Sequence, residues 1–203
     1  LLGSSPGDDV ENISMKELTE LFTVEKVHSS PARFDMKKLE AINGDKIRAL
    51  SVEDFAKWTI PFLKKAAIIE GTDAEIALVK QALPLIQERI VKLDEAPQLL
   101  KFLFVKEFAI DSDAVSKVND ESAKSILKRA QSELEQLSTW NHESIEAALR
   151  TSLIEEMGLK PRIAFTALRI ATTGSTISPP LFESMELLGK QACLARISLA
   201  LSL

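Results

Sequence analysis

The chain has 203 residues, 45% of them hydrophobic and 27% charged, with a formal net charge of −5. That length and apolar content suit one or two compact units with a sizeable core. A single cysteine, Cys193, excludes an intramolecular disulfide and a zinc site built from clustered thiols. The acidic sum argues mildly against a nucleic-acid partner, although the distribution of charge decides more than the total.

Glycine and proline are sparse, tyrosine is absent, and Leu, Ala, Glu and Lys recur without long β-branched runs. These are helix-forming choices, so the expected class is all-α. No apolar stretch has transmembrane length. Leu1-Leu2-Gly3-Ser4-Ser5-Pro6 lacks the basic and apolar regions of a signal peptide. A cytoplasmic protein fits these features best.

In chain order, residues 3–10 form a polar, turn-rich lead-in. Ser14-x-x-Glu17 has the form of a capping box and opens a helix over 15–22. His28-Ser29-Ser30-Pro31 reads as a loop, and Asp35 caps a helix over 36–49. Ser51-x-x-Asp54 starts a helix over 52–67, and Thr72-x-x-Glu75 starts one over 73–92. That last segment has the cleanest stripe: Ile76, Val79, Leu83, Ile86, Ile90 and Leu93 fall at steps of three and four. Pro84 lies inside it and predicts a kink. Further helices are expected over 95–104, 120–137 behind Asn119, 142–157 behind Asn141, 161–171, 180–188 and 190–201. Ile110-Asp111-Ser112-Asp113 interrupts the helical pattern and marks a possible border between two helical subdomains. Gly158 and Gly189 stand where left-handed glycines end helices. Residues 172–180 form the most conspicuous loop, read as ending in a serine N-cap at Ser178 with proline at the first helical positions. No strand and no internal repeat is evident.

The sequence carries no catalytic constellation. His28 and His142 are far apart and have no spaced partner, there is no glycine-rich phosphate loop, and no Ser/His/Asp set presents itself. Glu155-Glu156 reads as a solvated helix face, and Cys193 as a buried, inert thiol. Two basic features stand out. Between Leu159 and Leu203, five bases face two acids, a local charge of +3 in a chain of −5. Within it, Ile163, Ala167, Ile170 and Ala171 share one face of the 161–171 helix, and Arg162, Thr166 and Arg169 share the opposite one. Arginine forks beside a loop that feeds a helix N-terminus suit phosphates or base edges, although a plain solvated face has the same pattern. Phe165 offers a ring for stacking, with a core role the simpler reading. Arg89 sits one step from Ile90, about 100° off the apolar stripe. On its own it is an ordinary flanking arginine.

At these residues a family resemblance appears. Ser30-Pro31-Ala32-Arg33-Phe34-Asp35-Met36-Lys37-Lys38-Leu39, followed by Asn43 and Ile47-Arg48, resembles the segment after the catalytic domain of bacterial glutamyl-tRNA synthetases. Leu1-Leu2-Gly3-Ser4-Ser5-Pro6-Gly7-Asp8 is similar to the family's Leu-Leu-Gly-aromatic-Ser run, with Ser4 in place of the aromatic. Leu168-Arg169-Ile170-Ala171-Thr172-Thr173-Gly174, Ser178-Pro179-Pro180-Leu181-Phe182-Glu183 and Leu187-Leu188-Gly189-Lys190 resemble its C-terminal signature. The resemblance implies an all-α, two-part anticodon-binding region preceded by the tail of the stem-contact fold. Its expected divisions are 1–49 for that tail, 50–111 for the first anticodon-binding subdomain and 112–203 for the second.

The same resemblance supplies roles. Arg89 takes the place of the arginine that reads the third anticodon base, with Pro97 and Phe102-Leu103-Phe104 fixing the register. Arg169 and Leu181 match positions contacting the first base, and Ser178-Pro179 a Thr-Pro pair contacting the middle base. Arg162 and Lys190 are candidates for RNA backbone contacts. The implied partner is tRNA for glutamate, bound by a monomer, with no DNA and no membrane. This chain is expected to hold no cofactor or metal and to be inactive alone. ATP and magnesium would bind in the catalytic part of the full-length enzyme. An arginine at 89 implies discrimination against glutamine tRNA, because members that charge both commonly carry glutamine there. The alternative is a helical protein-interaction adaptor without RNA binding.

Overall fold

The computed structural model describes residues 13–27 and 35–203. The family-like opening 1–8, the polar lead-in up to residue 10, His28 and the 30–34 part of the resemblance lie outside the described residues. Eleven α-helices and no strand occur among the described residues, in agreement with the all-α expectation.

Helix α1 (Met15–Leu21) opens on the capping box of Ser14 and Glu17, and α2 (Met36–Arg48) opens on Asp35, which accepts the amides of Lys37 and Lys38. Helix α3 (Val52–Lys65) starts at Ser51, and α4 (Asp73–Ala82) at the box formed by Thr72 and Glu75. Glu75 accepts the amides of Thr72, Gly71 and Glu70, and these backbone bonds, that of Thr72 foremost, pull its carboxyl down to about 2. Pro84 does more than kink the expected 73–92 helix. Helix α4 stops at Ala82, and a single turn, α5 (Pro84–Gln87), follows. Beyond it the stripe continues through turns: Val79, Leu83, Ile86 and Ile90 are buried, while Ile76 and Leu93 are half-buried. The helix expected over 95–104 is α6 (Ala96–Leu100) tightened into a 3₁₀ turn at Lys101–Leu103.

The 105–114 segment is irregular, as the break at Ile110–Asp113 predicts. Helix α7 (Glu121–Gln136) is capped by Asp120, not Asn119. Helix α8 (His142–Leu149), capped by Asn141, passes into a π-helical stretch over Arg150–Glu156, so the expected 142–157 helix is α-helical only in its first half. Helix α9 (Pro161–Thr173) ends on Gly174 at φ +81°, and α10 (Leu181–Leu188) and α11 (Lys190–Leu201) complete the chain. Gly158 has the left-handed φ of +66°; Gly189 has φ +86° but an extended ψ of 153°.

Two hydrophobic clusters organise the molecule. The first gathers Ile47, Phe55, Leu63, Val79, Leu83, Ile86, Ile90 and Leu100 from α2 to α6. The second gathers Ile126, Leu127, Leu134, Ile145, Leu149, Leu153, Leu168, Met185 and Ile197 from α7 to α11. Leu187 at the end of α10 packs on the first cluster, so the two lie against each other. Within the first cluster the Gln87 amide ties α5 to the end of α2, donating to the carbonyls of Ile47 and Leu50 at 2.9 Å each. No helix among the described residues is long and apolar enough to cross a membrane.

Candidate nucleic-acid interface

Arg89 is exposed in the turn that leaves α5, held by buried Ile86 and Ile90 on either side and by its own amide, which donates to the Ile86 carbonyl at 2.9 Å. It borders a cavity of about 390 Å³ with Glu95, Gln98 and Leu99 from the first cluster and Ile177 and Ser178 from the loop after α9. The fold therefore brings together two basic features that are about 80 residues apart in sequence.

Arg169 stands behind that loop. From the last turns of α9 its Nη1 donates to the Pro179 carbonyl at 2.8 Å and to the Ser178 hydroxyl. Burial first, and then the nearby positive charge of Arg89, hold its guanidinium below the ordinary arginine value. Two like charges converge there, with Glu95 on the same cavity, and the pair of arginines favours an electron-rich guest. The loop leaves α9 cleanly because Gly174 takes a left-handed conformation that a side chain resists. A Cβ there would also sit 2.7 Å from the Ala109 carbonyl.

Ser178 is not a helix cap. Pro180 precedes α10 and no side chain caps it. The Ser178 hydroxyl is buried, donating to the Pro179 carbonyl at 2.9 Å and accepting from Arg169. Pro179 and Leu181 are buried as well. The loop instead exposes Ile177, at 74%. Ile177, Gln98 and Glu95 were missed in the sequence. Ile177 alone had a visible signal, as a lone apolar residue in a polar loop.

Arg162 lines a different cavity, about 310 Å³, with Lys117, Asp120, Ser122, Ile163 and Thr166. The expected apolar face of α9 needs correction here. Ile163 is 51% exposed, and Ala164, Ala167, Leu168, Ile170 and Ala171 form the buried face. Lys190 closes the end of α7, its ammonium donating to the carbonyls of Glu135 at 2.9 Å and Leu137 at 2.7 Å. Phe165 packs edge-on to Phe182, with ring centres 5.1 Å apart, against the second cluster, so its role is in the core. Cys193 is buried and its thiol is pushed up to about 12 by that burial, the inert state expected of it. Among the described residues, no three His, Cys, Asp or Glu side chains gather as a metal group.

With this geometry in view, the sequence matches the family model of the anticodon binding domain over residues 54–201. The chain belongs to that family. Within it, the chain is 43% identical over 200 residues to a glutamate–tRNA ligase of Saccharopolyspora erythraea, and 45% identical over 199 residues to one of Rhodococcus jostii. Each match covers 97% of this chain and 40% of the relative, so the chain spans about two-fifths of the length of the ligases it matches. A solved glutamate–tRNA synthetase of Elizabethkingia anophelis superposes with a TM-score of 0.79 at 25% identity, over 100% of this chain and 39% of the other. A glutamate–tRNA ligase of Elizabethkingia meningosepticum, at 24% identity, gives 0.81 over the same share. The fold and family expected from the two terminal signatures are those found: an all-α anticodon-binding region of glutamyl-tRNA synthetase type.

Proposed function

We propose that this chain binds the anticodon of glutamate tRNA as the anticodon-binding region of a glutamate–tRNA ligase. ATP- and magnesium-dependent ligation would take place in the enzyme's catalytic part. The observation that carries this reading is the cavity shared by Arg89, Gln98, Ile177 and Ser178, with the Arg169 guanidinium behind it. Unstacked anticodon bases are read along their Watson–Crick edges. Cytosine presents two acceptors there, N3 and O2, and arginine supplies only donors. Arg89 then accepts the final C of a glutamate anticodon and opposes the N1–H and N2–H donors of a final G. Arg169 serves the first base, together with Leu181. Ser178 and Pro179 contribute to the middle base through the loop they shape. Arg162, beside Lys117, and the remaining donor of Lys190 contact phosphates.

In this reading residues 50–111 and 112–203 are the two anticodon-binding subdomains, each holding most of one hydrophobic cluster, and residues 1–49 belong to the stem-contact fold, with Ile47 packed into the first cluster. The chain acts as a monomer in the cytoplasm, on RNA and not on DNA or membranes. The anticodon-binding family match weighs against the adaptor alternative.

Titrating the chain with glutamate tRNA at increasing salt tests the proposal. The expected affinity is on the order of micromolar or weaker, falling with salt along a shallow slope because few cations are available. Equal affinity for a tRNA with an unrelated purine-rich anticodon would contradict it, as would binding indifferent to salt.

A further inference from the structure

Arg196 is buried and bonded through both terminal nitrogens although it lies outside the Arg89 cavity. It projects from α11 and is 8% exposed. Among the described residues it has no acidic ion-pair partner. Instead, its fork divides between two backbones. Nη1 donates to the Thr172 carbonyl at 2.7 Å, in the last turn of α9, and Nη2 donates to the Phe102 carbonyl at 2.8 Å, in the turn after α6. The Phe108 ring covers the guanidinium at 4.2 Å. One side chain thus bonds each half of the chain and stacks on the segment that joins them.

The surroundings tie this bond to the reading loop. Thr172 is three residues after Arg169 and two before Gly174, where the loop begins. The Asp111 amide donates to the Gly174 carbonyl at 2.8 Å, and the Ala109 carbonyl occupies the space that a Cβ on Gly174 would need. On the other side, Phe102 closes the segment that supplies Glu95, Gln98 and Leu99 to the Arg89 cavity. The apolar contact of Leu187 with the first cluster can slide; a bidentate fork with fixed donor directions resists sliding.

We propose that Arg196 is a positioning residue for anticodon reading. By bonding Phe102 and Thr172 at once, it fixes the second cluster on the first and so sets the spacing between Arg89 and the Arg169–Ser178 loop. The proposal rests on the anticodon reading above for its consequence, though its geometric half stands apart from RNA.

Two measurements test it. First, spin labels at Glu88→Cys and Ile177→Cys, both exposed sites, report the spacing across the cavity; buried Cys193 is spared by the label. The expected result is one narrow distance distribution, broadened by Arg196→Met. Arg196→Lys keeps the charge but loses the planar fork with its fixed donor directions, so it broadens the distribution too. An unchanged distribution in either variant overturns the proposal, whether or not RNA binds. Second, anticodon stem-loops altered at the first or the third base are titrated with each variant. Selection of roughly fivefold or more at each base in the parent should fall at both bases together, to under about threefold. Loss of affinity for all stem-loops by one common factor, with both ratios intact, means a merely structural role and overturns it. If the parent chain shows no base preference, the anticodon reading fails while the distance measurement still decides the positioning claim. If Arg196→Met does not fold, Arg196→Lys, which keeps the charge, is read alone against the same outcomes.

Discussion

Replacing Arg169 by methionine keeps a long, flexible side chain and removes the fork behind the reading loop. The guanidinium makes one good bond to the Pro179 carbonyl at 2.8 Å and a second to the Ser178 hydroxyl from the same nitrogen. A bond from a charged donor is worth about 1.5–3 kcal/mol net, but two bonds sharing one nitrogen do not add in full. Neither acceptor is orphaned by the change, because the Ser178 hydroxyl still donates to the Pro179 carbonyl at 2.9 Å. The methionine also relieves the burial of a charge and its repulsion with Arg89. The net loss should therefore be modest, about 1–2 kcal/mol, a fall in Tm of roughly 2–8 °C for a chain of this size. Hydrogen exchange should localise the effect to amides of the 174–180 loop, with the second cluster still protected. Binding of a glutamate anticodon stem-loop should fall further than the melting shift explains. An unchanged or raised Tm with exchange unaltered in the loop would refute the claim that Arg169 holds it.

Gly174→Ala should cost on the order of 1–2 kcal/mol from the left-handed φ of +81° alone. It should cost more through the close Ala109 carbonyl, and denaturant unfolding checks this. Thr59→Val should raise stability by about 1 kcal/mol, since the Thr59 hydroxyl is buried with no hydrogen-bond partner; a loss on urea unfolding would refute it. The bond from His142 Nδ1 to Glu186 at 2.7 Å, and then the charges of Glu143, Glu186 and Glu183, raise the His142 value above 6.5 in the folded chain, against a smaller opposing desolvation. A raised value stabilises fully below pH 6.5 and is lost as pH rises through the folded value, so stability should decline over that window. Glu186→Gln, which retains an acceptor for the His142 amide, should flatten the decline.

The parts of this molecule legible in sequence are the local ones. Ser14 with Glu17 and Thr72 with Glu75 form their capping boxes because each box closes within four residues and needs no tertiary partner. Pro84 announced a break, but its extent was hidden. Ile86 and Ile90 keep a helical spacing while the chain runs through turns, because burial fixes the spacing of apolar side chains and not the backbone between them. The π-helical stretch over 150–156 left no trace, since its buried neighbours Ile145, Leu149 and Leu153 are spaced by four, which an α-helix fits equally well. Asn119 and Asp120 are adjacent and chemically equivalent caps, which pattern cannot separate. Ser178 fits a cap by composition, yet its hydroxyl is turned inward by Arg169, a partner nine residues earlier. Of the candidate site, Arg89, Arg169 and the 174–180 loop stand out in sequence through the family resemblance. Arg196 does not, because nothing in a run of charged and apolar residues signals that one arginine is buried against two carbonyls.

The central claim is that Arg89 selects the third anticodon base through donors alone. It is tested most directly by the affinity ratio of this chain for two glutamate anticodon stem-loops, one ending in C and one in G, compared with the Arg89→Gln chain. Arg89 is exposed and borders the buried stripe without joining it, so the variant should melt as the parent does. A bidentate contact discriminates by about 1–3 kcal/mol, so the parent should favour C by roughly fivefold to a hundred and fifty-fold. Glutamine can turn its amide to suit either base, and the variant's ratio should fall close to one. A parent that binds both stem-loops equally, or a variant with the parent's ratio, would contradict the account.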